Sequence, residues 1–436
     1  MTDKHIVVVS GGTATNSLVS LFQSLSQNVT YVLPISDNGG STSEILRVLG
    51  GPAIGDIRSR ITRLITHEGF KNLLSYRLSE DGEEAKQEWT QIVEGVHPIW
   101  DGIEIHCKEM VRAFLIHVHM ELLKKSRTPA TNFRFELASI GNMLLTGARL
   151  FIGSLDGAIE LILRMTRVDH NVQILPGLNT NYTYHISAQL QNGDIITGQS
   201  QISHPNEAPA QVLGSTTSVN LYDPQSTSSS NLYSLNNTQH EDIPYQHPDL
   251  LISQLKFSKT VNSPLKSPIS RIFYINPYGE EIHPKANSRT IKCLKGADLI
   301  VYSVGSLMTS IIPVLILQGI GHSISENITA SKVLLLNGNL DRETSGMTAL
   351  DFINTIHAAA IYSFHDSNSH LKLRHIDVIT HLVYMEDCEI SVNVERIEAL
   401  GIKCVKVKTD QASVNGNIHL YDLLDLQENL HELLET

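Results

Sequence analysis

The sequence contains few of the features that mark secreted, membrane-spanning or nucleic-acid-binding proteins. Its four cysteines are scattered and none belongs to a CxxC pair, so neither a disulfide framework nor a cysteine-based zinc site is expected. No uninterrupted apolar run reaches the roughly 18 residues that a membrane-spanning helix needs. Because 45 acidic residues outnumber 33 basic ones, the net charge of −12 argues against binding along a nucleic-acid backbone. The chain begins directly with a predicted strand, which favours a cytoplasmic protein without a signal peptide.

Common catalytic and nucleotide-binding motifs are also missing. The turn at residues 10–15 has neither the spacing of a dinucleotide-binding loop nor the lysine that ends a P-loop, which argues against an ATPase. The 20 histidines form no HxxxH pair, and no serine or cysteine triad stands out. Any site must therefore be inferred from less common patterns.

The organisation of the chain indicates one large α/β domain over residues 1–436. Its content of 41% apolar and 18% charged residues is typical of a globular protein. Strand-like 6–9 and 29–35 flank a helix-compatible segment, which predicts a βαβ unit. Residues 70–132 are predicted as a helical and loop insertion. Residues 214–248, rich in Ser and Asn, are predicted to be a disordered loop.

Further elements follow from hydrophobic periodicity and turn signals. They are a short helix and surface loop over 74–101, a helix over 133–153, a helix capped by Ser154, a hairpin of 184–190 and 195–202, and a strand over 375–380. Strands alternate with helices on both sides of the Ser/Asn-rich loop. The loop is therefore expected to interrupt one architecture.

Glycine-rich turns follow apolar runs in the first 60 residues. The candidate binding residues there are Gly11, Gly12, Thr13, Asn38, Gly39, Gly40 and Ser41. A strand that ends in such a turn and leads into a helix presents free N–H groups and partial positive charge, which suits a phosphate. Chain geometry alone also explains one such turn. Two of them this close predict a nucleotide or sugar-phosphate site at the strand ends.

Charged side chains accompany these glycines. Asp37 is predicted to hold a divalent cation or a hydroxyl, and the alternative is an Asx turn that caps the next helix. Asp56 is a second candidate catalytic acid, and the alternative is a helix N-cap. Arg58, within one turn of Asp56, is a candidate phosphate clamp because its guanidinium fork matches phosphate oxygens.

Two further candidate segments lie far along the chain. Gly141 and Asn142 interrupt an apolar helical run, and both are poor helix formers. Their presence indicates either the close approach of a ligand or a break between two helices. Gly305 and Ser306 follow a predicted strand and open a helix, which predicts a third turn that faces an anion.

Five short segments occur in the same order in the CofD/YvcK-like family of 2-phospho-L-lactate transferases and gluconeogenesis factors, and through them the chain resembles that family. The resemblance is greatest to its uncharacterised fungal and plant branch. The segments are Gly11-Gly12-Thr13, residues 37–42, 55–58, Gly141-Asn142 and 305–313. The resemblance covers nearly the whole chain apart from the Ser/Asn-rich insertion and the C-terminal tail. It implies a Rossmann-like three-layer α/β sandwich with a mostly parallel sheet, a helical insertion and a β-hairpin.

The resemblance also implies a function. The transferases move a phospholactyl group from a guanosine diphosphate-linked donor to a deazaflavin precursor with magnesium, whereas the YvcK-type members resemble nucleotide-sugar-binding regulators. By resemblance, Asp37 would contact Mg²⁺ and the first two turns would lie along the nucleotide phosphates. The chain departs from the family pattern at Ala14, Asn38 and 303–304, where the family has Gly, a second Asp and Gly-Pro. These departures bear on catalysis more than on binding.

Two leading hypotheses follow, beside a third in which the glycine-rich turns only shape the fold of an inactive scaffold. The first is a transferase that moves a phosphorus-linked group from a nucleoside diphosphate donor to a hydroxyl acceptor. The second is a nucleotide-sugar-binding regulator of carbon metabolism without turnover. Both expect a GDP- or UDP-linked sugar or phosphate ester, with Mg²⁺ as cofactor. Neither nucleic acid nor membrane is an expected partner, and a homodimer is the default expectation.

Overall fold

The structure is a computed structural model that describes residues 2–127, 131–203, 264–364, 373–414 and 419–435. The predicted loop at 214–248 lies outside these ranges. Within them, no helix combines the length and the apolar character that a membrane span requires. All four cysteines are free, and each is partly buried.

The described strands form two sheets. The strands are β1 (Ile6–Val9), β2 (Val29–Leu33), β3 (Val172–Pro176), β4 (His185–Leu190), β5 (Ile195–Thr197), β6 (Ile269–Ile275), β7 (Glu281–Ile282), β8 (Leu299–Tyr302), β9 (Ser331–Leu335), β10 (His381–Met385) and β11 (Lys403–Val407). The larger sheet has seven parallel strands in the order β11-β10-β9-β8-β1-β2-β3. The smaller one is antiparallel, in the order β5-β4-β6-β7.

The helices come between and after these strands. They are α1 (Val19–Leu25), α2 (Ser41–Leu49), α3 (Gly55–Leu64), α4 (Glu68–Ser75), α5 (Gly82–Glu94), α6 (Ile105–Lys125), α7 (Ile140–Ile152), α8 (Leu155–Met165), α9 (Gln199–Ser203), α10 (Ser288–Lys295), α11 (Ile312–Leu315), α12 (Ile320–Glu326), α13 (Ala349–Tyr362), α14 (His375–Val378), α15 (Val394–Glu398), α16 (Gln411–Val414) and α17 (Leu423–Glu435). A π-helical turn at Leu307–Ile311 precedes α11.

The parallel sheet is buried because its strands are apolar along their whole length. Every residue of β1 and of β8 is fully buried, as expected for a parallel sheet covered by helices on both faces. The predicted three-layer Rossmann-like α/β fold is confirmed. The chain extends from β1 toward β3 in one direction and from β8 toward β11 in the other. In open α/β sheets, ligands bind outside the carboxyl ends of the strands at such a reversal.

The predicted hairpin is one part of the antiparallel sheet. β4 and β5 pair as expected, and β4 also pairs with β6 on its other side. The second strand was predicted to run to residue 202, and this is wrong. The strand stops at Thr197 because Gly198 has φ of +91°, and α9 follows.

Residues 74–101 are more regular than the predicted short helix and surface loop. α5 begins at the N-cap Asp81, whose carboxylate accepts hydrogen bonds from two N–H groups of the first turn, and it ends at Gly95 with φ of +84°. Ala85, Trp89 and Ile92 are buried along one face. The prediction of a surface loop is wrong because this i, i+4, i+7 spacing makes a polar segment amphipathic.

Two element boundaries also differ from the predictions. Over 133–153, the helix begins only at Ile140, where the Ser139 hydroxyl accepts a hydrogen bond from the Asn142 N–H. The predicted strand at 375–380 is the short helix α14, and the strand is the following β10. Ser154 caps α8 as predicted, by accepting a hydrogen bond from the Gly157 N–H at 3.2 Å.

Candidate functional site

The Gly11–Gly12 turn lies at the carboxyl end of β1, and two side chains of α3 bind its carbonyl groups. The Ser59 hydroxyl donates to the Gly12 carbonyl at 2.8 Å, and Nη2 of Arg60 donates to the Gly11 carbonyl at 3.0 Å. A Cβ atom added to Gly12 would lie 2.5 Å from both Cα and Oδ1 of Asp56. Only glycine therefore allows α3 to approach the turn this closely.

Asp37 and Asp56 come together beside this turn. Asp56 lies in the first turn of α3 and is not the N-cap, a position that Ile54 occupies. Burial, and then the Asp37 carboxylate, raise the pKa of Asp56, against the effect of a hydrogen bond from the Gly12 N–H. Oδ1 of Asp37 accepts a hydrogen bond from the Gly39 N–H at 3.1 Å, which is the predicted Asx turn. The structure thus places two interacting carboxylates at the ends of β1 and β2.

Three helix N-termini meet around this acid pair. Nδ2 of Asn142, at the start of α7, donates to the hydroxyls of Ser41 and Thr42 at the start of α2, at 3.0 and 3.3 Å. A Cβ atom on Gly55, the first residue of α3, would lie 3.0 Å from Oγ1 of Thr42 and 2.9 Å from Oδ2 of Asp37. The partial positive ends of α2, α3 and α7 therefore act on one small volume.

Arg58 joins α3 to α7. Its Nε donates to Oδ1 of Asn142 at 3.3 Å. A Cβ atom on Gly141 would lie 2.4 Å from the Leu74 carbonyl oxygen and 2.9 Å from two carbons of the Arg58 side chain. α7 begins at Ile140, so this segment is the start of one helix and not a break between two. Gly141 permits the close approach of the Leu74 carbonyl and the Arg58 side chain, and the approach of a ligand stays a prediction.

Gly305 and Ser306 lie at the neighbouring strand end, after β8. The N–H of Gly305 donates to Oδ1 of Asn337 at 3.0 Å, and its carbonyl accepts from Nδ2 of the same residue at 2.7 Å. Ser306 caps the π-helical turn and donates to Glu343. The groups predicted to face an anion in this turn are thus already engaged. The turn contacts the first one, since a Cβ atom on Gly11 would lie 2.5 Å from Oγ of Ser310.

Asn38 binds the start of α9, and Thr13 is exposed. Oδ1 of Asn38 accepts hydrogen bonds from the N–H and the hydroxyl of Ser200, both at 3.0 Å, and so holds the start of α9. Thr13 is exposed and its side chain makes no capping bond. The residues brought together are Gly11, Gly12, Asp37, Gly39, Gly40, Ser41, Asp56, Arg58 and Asn142.

Glu343 is a buried carboxyl group that the sequence analysis missed. It is 5% exposed and accepts hydrogen bonds from the hydroxyls of Ser203 at 2.6 Å, Thr309 at 3.0 Å and Ser306. Burial, and then the nearby Asp341, raise its pKa to about 7. Its partners lie between 34 and 140 residues away in sequence, so no local pattern marks it.

Arg60 is a second missed residue. It is fully buried, its guanidinium lies 4.7 Å from the centre of the Tyr31 ring, and its Nε and Nη1 make no hydrogen bond within the described residues. Burial lowers its pKa to about 10, against the attraction of Tyr31 and Asp56. The sequence shows Arg60 two residues after Arg58, but no pattern indicates that its side chain binds the carbonyl of Gly11 in the turn after β1.

The site brings together side chains of both signs of charge. In the described part of the chain, no group of three or more His, Cys, Asp or Glu side chains is arranged to hold a metal ion. Asp37 and Asp56 supply two carboxylates, and the helix N-termini and Arg58 supply positive charge. A cation together with an anionic ligand satisfies both halves of this arrangement.

The sequence matches the family described as 2-phospho-L-lactate transferase CofD over residues 6–410. It is 46% identical over 424 residues to an uncharacterized protein of Saccharomyces cerevisiae, and the alignment covers 92% of this chain and 95% of that protein. It is 21% identical over 357 residues to the gluconeogenesis factor of Halalkalibacterium halodurans, and the alignment covers 82% of this chain and 74% of that protein.

A solved structure shows the same fold. The crystal structure of a UPF0052 family member from Bacillus halodurans matches 98% of this chain and 99% of its own, with a TM-score of 0.61 and 17% identity. At this identity the likeness concerns the fold alone.

Proposed function

Because this chain belongs to the 2-phospho-L-lactate transferase CofD family, we propose that it binds a nucleoside diphosphate linked to a sugar or a phosphate ester. The ligand lies at the carboxyl ends of β1 and β2. The observation that carries this proposal is the meeting of the starts of α2, α3 and α7 around Asp37 and Asp56. Helix N-termini bind phosphate through their free N–H groups and their partial positive charge.

We propose that a divalent cation accompanies the ligand. Burial, and then the nearby Asp37 carboxylate, raise the pKa of Asp56, so a positive charge beside the two carboxylates would stabilise their ionised forms. Mg²⁺ in nucleotide sites is usually held by one or two carboxylates, with phosphate oxygens and waters completing its shell. Asp37 fits this donor set as a single carboxylate ligand, which leaves the neighbouring Asp56 carboxylate outside the metal shell. A bound Mg²⁺ would supply charge neutralisation on the phosphate oxygens.

The acid pair also supports group transfer. In such a step the acceptor hydroxyl oxygen forms a bond to the distal phosphorus, the bridging P–O bond breaks, and a nucleoside monophosphate leaves. The hydroxyl proton needs a base whose pKa lies nearer neutrality than that of an ordinary carboxyl. Asp56, with its raised pKa, fits that role, and Arg58 can stabilise charge on the transferred group.

A non-catalytic regulator is the second candidate function, and one observation favours it. Asn38 occupies the position of the family's second acid, and it carries no charge and binds Ser200 at the start of α9. The similarity to a protein named gluconeogenesis factor agrees with such a role. Binding is common to both candidates, and only turnover separates them.

A thermal-shift panel of GDP, UDP and their sugar conjugates, with and without Mg²⁺, tests the binding proposal. A ligand at 100 times its dissociation constant stabilises the native state by about 2.7 kcal/mol. Asp37→Asn should lose the Mg²⁺-dependent part of the shift, whereas Asp101→Asn, which alters an exposed acid, should not. No shift with any of these compounds would contradict the proposal. Release of a nucleoside monophosphate, measured by phosphorus NMR, would identify the transferase.

A further inference from the structure

A cavity of about 460 Å³ lies between β6, α11 and α13. Its volume falls within the range of roughly 300–1,000 Å³ that is typical of small-molecule sites. None of the residues brought together at the candidate nucleotide site is among the described residues that line it. The π-helical turn borders both places, since Met308 lines the cavity and Ser310 contacts the Gly11 turn. This α13 cavity is therefore a second place where the fold can hold a small molecule.

The walls of the α13 cavity are largely apolar. They include Ile272 of β6, Met308 of the π-helical turn, Ile312 of α11 and Ala359 of α13, and all four side chains are buried. Small-molecule sites hold their ligands mainly through such apolar walls, while a few polar groups fix the orientation of the ligand. The occupant therefore needs an apolar part, and the polar groups of the lining decide the rest of its chemistry.

Glu343 is the buried acid of this lining. Its Oε1 accepts hydrogen bonds from the hydroxyls of Ser203 and Thr309, and its Oε2 accepts one from Ser306. A carboxylate has about four acceptor positions, so one position on Oε2 is left. In the described part of the chain no basic side chain forms an ion pair with Glu343, and burial and the charge of Asp341 both disfavour its ionised form. A buried carboxylate gains most from a positively charged partner.

The other charged groups around the cavity do not supply that positive charge. Arg271 of β6 lines the cavity, but its Nη1 and Nη2 donate to the two carboxylate oxygens of Glu281 at 2.6 and 2.8 Å. Arg342 is close enough for Glu343 to affect its pKa, but its Nη1 donates to two carbonyl groups of α9. Asp351 of α13 adds a further acid to the lining. The described lining therefore carries an excess of negative charge.

We propose that the α13 cavity binds an organic cation, namely an ammonium group carried on an alkyl or aromatic part. The ammonium N–H donates to the remaining acceptor position on Oε2 of Glu343, and the apolar part packs against Ile272, Met308 and Ile312. Hydrogen bonds between charged partners are roughly twice as strong as neutral ones, so the charge of the ligand decides its selection. This site goes beyond the proposed nucleotide binding and does not depend on it.

Three compounds that differ in one group test the proposal on the full chain. They are 2-phenylethylamine, 2-phenylethanol and 3-phenylpropionate, which carry an ammonium, a hydroxyl and a carboxylate on the same apolar part. Calorimetry at pH 8 should give a dissociation constant at least about tenfold lower for the amine than for the other two. Absence of amine binding, or binding of the alcohol or the acid as tight as that of the amine, overturns the proposal.

The pH dependence of amine binding is a second readout. Burial, and then Asp341, raise the pKa of Glu343 to about 7, whereas an alkylammonium, like that of lysine with its pKa of about 10.4, keeps its proton in this range. Because the amine binds the ionised carboxylate, its affinity should rise about tenfold from pH 6 to pH 8. An affinity that stays constant or falls over this range contradicts the proposal.

Variants assign the binding to this cavity. Glu343→Gln should reduce the preference for the amine over the alcohol to below about twofold, and Glu94→Gln, at an exposed position, should leave it unchanged. Ala358→Trp, at an exposed residue of the lining, should fill the cavity and abolish binding of the amine. Thermal midpoints show whether each variant folds, and Ala358→Trp keeps the test decisive if Glu343→Gln does not. Amine binding that survives Ala358→Trp, or a preference that survives Glu343→Gln, overturns the proposal. Nucleotide binding by the same proteins is measured separately, so either proposal can fail alone.

Discussion

Glu343→Gln should change how the stability of the protein depends on pH. The Glu343 carboxyl is 5% exposed, and burial raises its pKa from 4.5 to about 7. Between these values the native state keeps a proton that the unfolded state has already lost. The native state then binds more protons, so the free energy of unfolding falls as the pH rises. Glutamine keeps the shape and the hydrogen-bonding capacity of the side chain but does not titrate, so this loss should disappear.

The size of the effect follows from the shift. The two pKa values differ by about 2.5 units, and each unit corresponds to about 1.36 kcal/mol, so the full effect is about 3 kcal/mol. The measurement is urea unfolding of both proteins from pH 5 to pH 8. The free energy of unfolding of the variant minus that of the unchanged protein should rise by most of this amount over that range. Glu94→Gln, at an exposed position, is the matched control and should give a flat difference. A flat difference for Glu343→Gln as well, or one that falls with pH, would refute the reasoning.

Three further substitutions probe other buried contacts. Gly141→Ala should lower the free energy of unfolding by about 1–3 kcal/mol. The added Cβ atom would clash with the Leu74 carbonyl oxygen, and this clash outweighs the gain of about 1 kcal/mol from helix propensity. An unchanged thermal midpoint would contradict this. Gly12→Ala should displace Asp56 and abolish Mg²⁺-dependent nucleotide binding in calorimetry, and wild-type affinity would show that the turn can widen. Burial lowers the pKa of Lys332 to about 8, so stability should rise with pH between about 8 and 10.5 because the unfolded state binds more protons there; Lys332→Met should remove that rise in urea unfolding, and a persistent rise would assign it to another group.

Much of the fold was predictable because it depends on local pattern. Apolar runs such as Ile6–Val9, followed by glycine-rich turns and amphipathic segments, are sufficient to indicate a parallel α/β sheet. The same logic predicted that the turns after β1 and β2 lie at one edge, which brought Asp37 and Asp56 into a single hypothesis. Element type was less secure where a segment is short. The strand expected at 375–380 is the helix α14 because β10, just beyond it, provides the apolar run that the sheet buries.

Contacts between distant loops were not predictable. Glu343 reaches Ser203 across 140 residues, and its role depends on which loops the topology brings to the ends of β8 and β9. Asn38 shows another such contact: its place in an Asp-Asn-Gly-Gly segment predicts a ligand contact, and nothing in that segment indicates that its amide oxygen also accepts hydrogen bonds from Ser200 at the start of α9. Hydroxyl, amide and carboxyl groups have several suitable partners each, and only the folded chain selects among them.

The position of β1 has a consequence for biosynthesis. Of the described strands, β1 leaves the ribosome first, yet it lies inside the sheet, between β2 and β8. At about 5–20 residues per second, the ribosome needs on the order of 15–60 s to advance from Val9 to Tyr302. During that interval the edge of β1 that later receives β8 has no native partner, so the nascent chain carries an open, apolar strand edge of the kind that invites misassociation. Chaperone dependence during translation, measured by ribosome-bound capture of truncated chains, should therefore fall sharply once residues beyond Tyr302 have emerged.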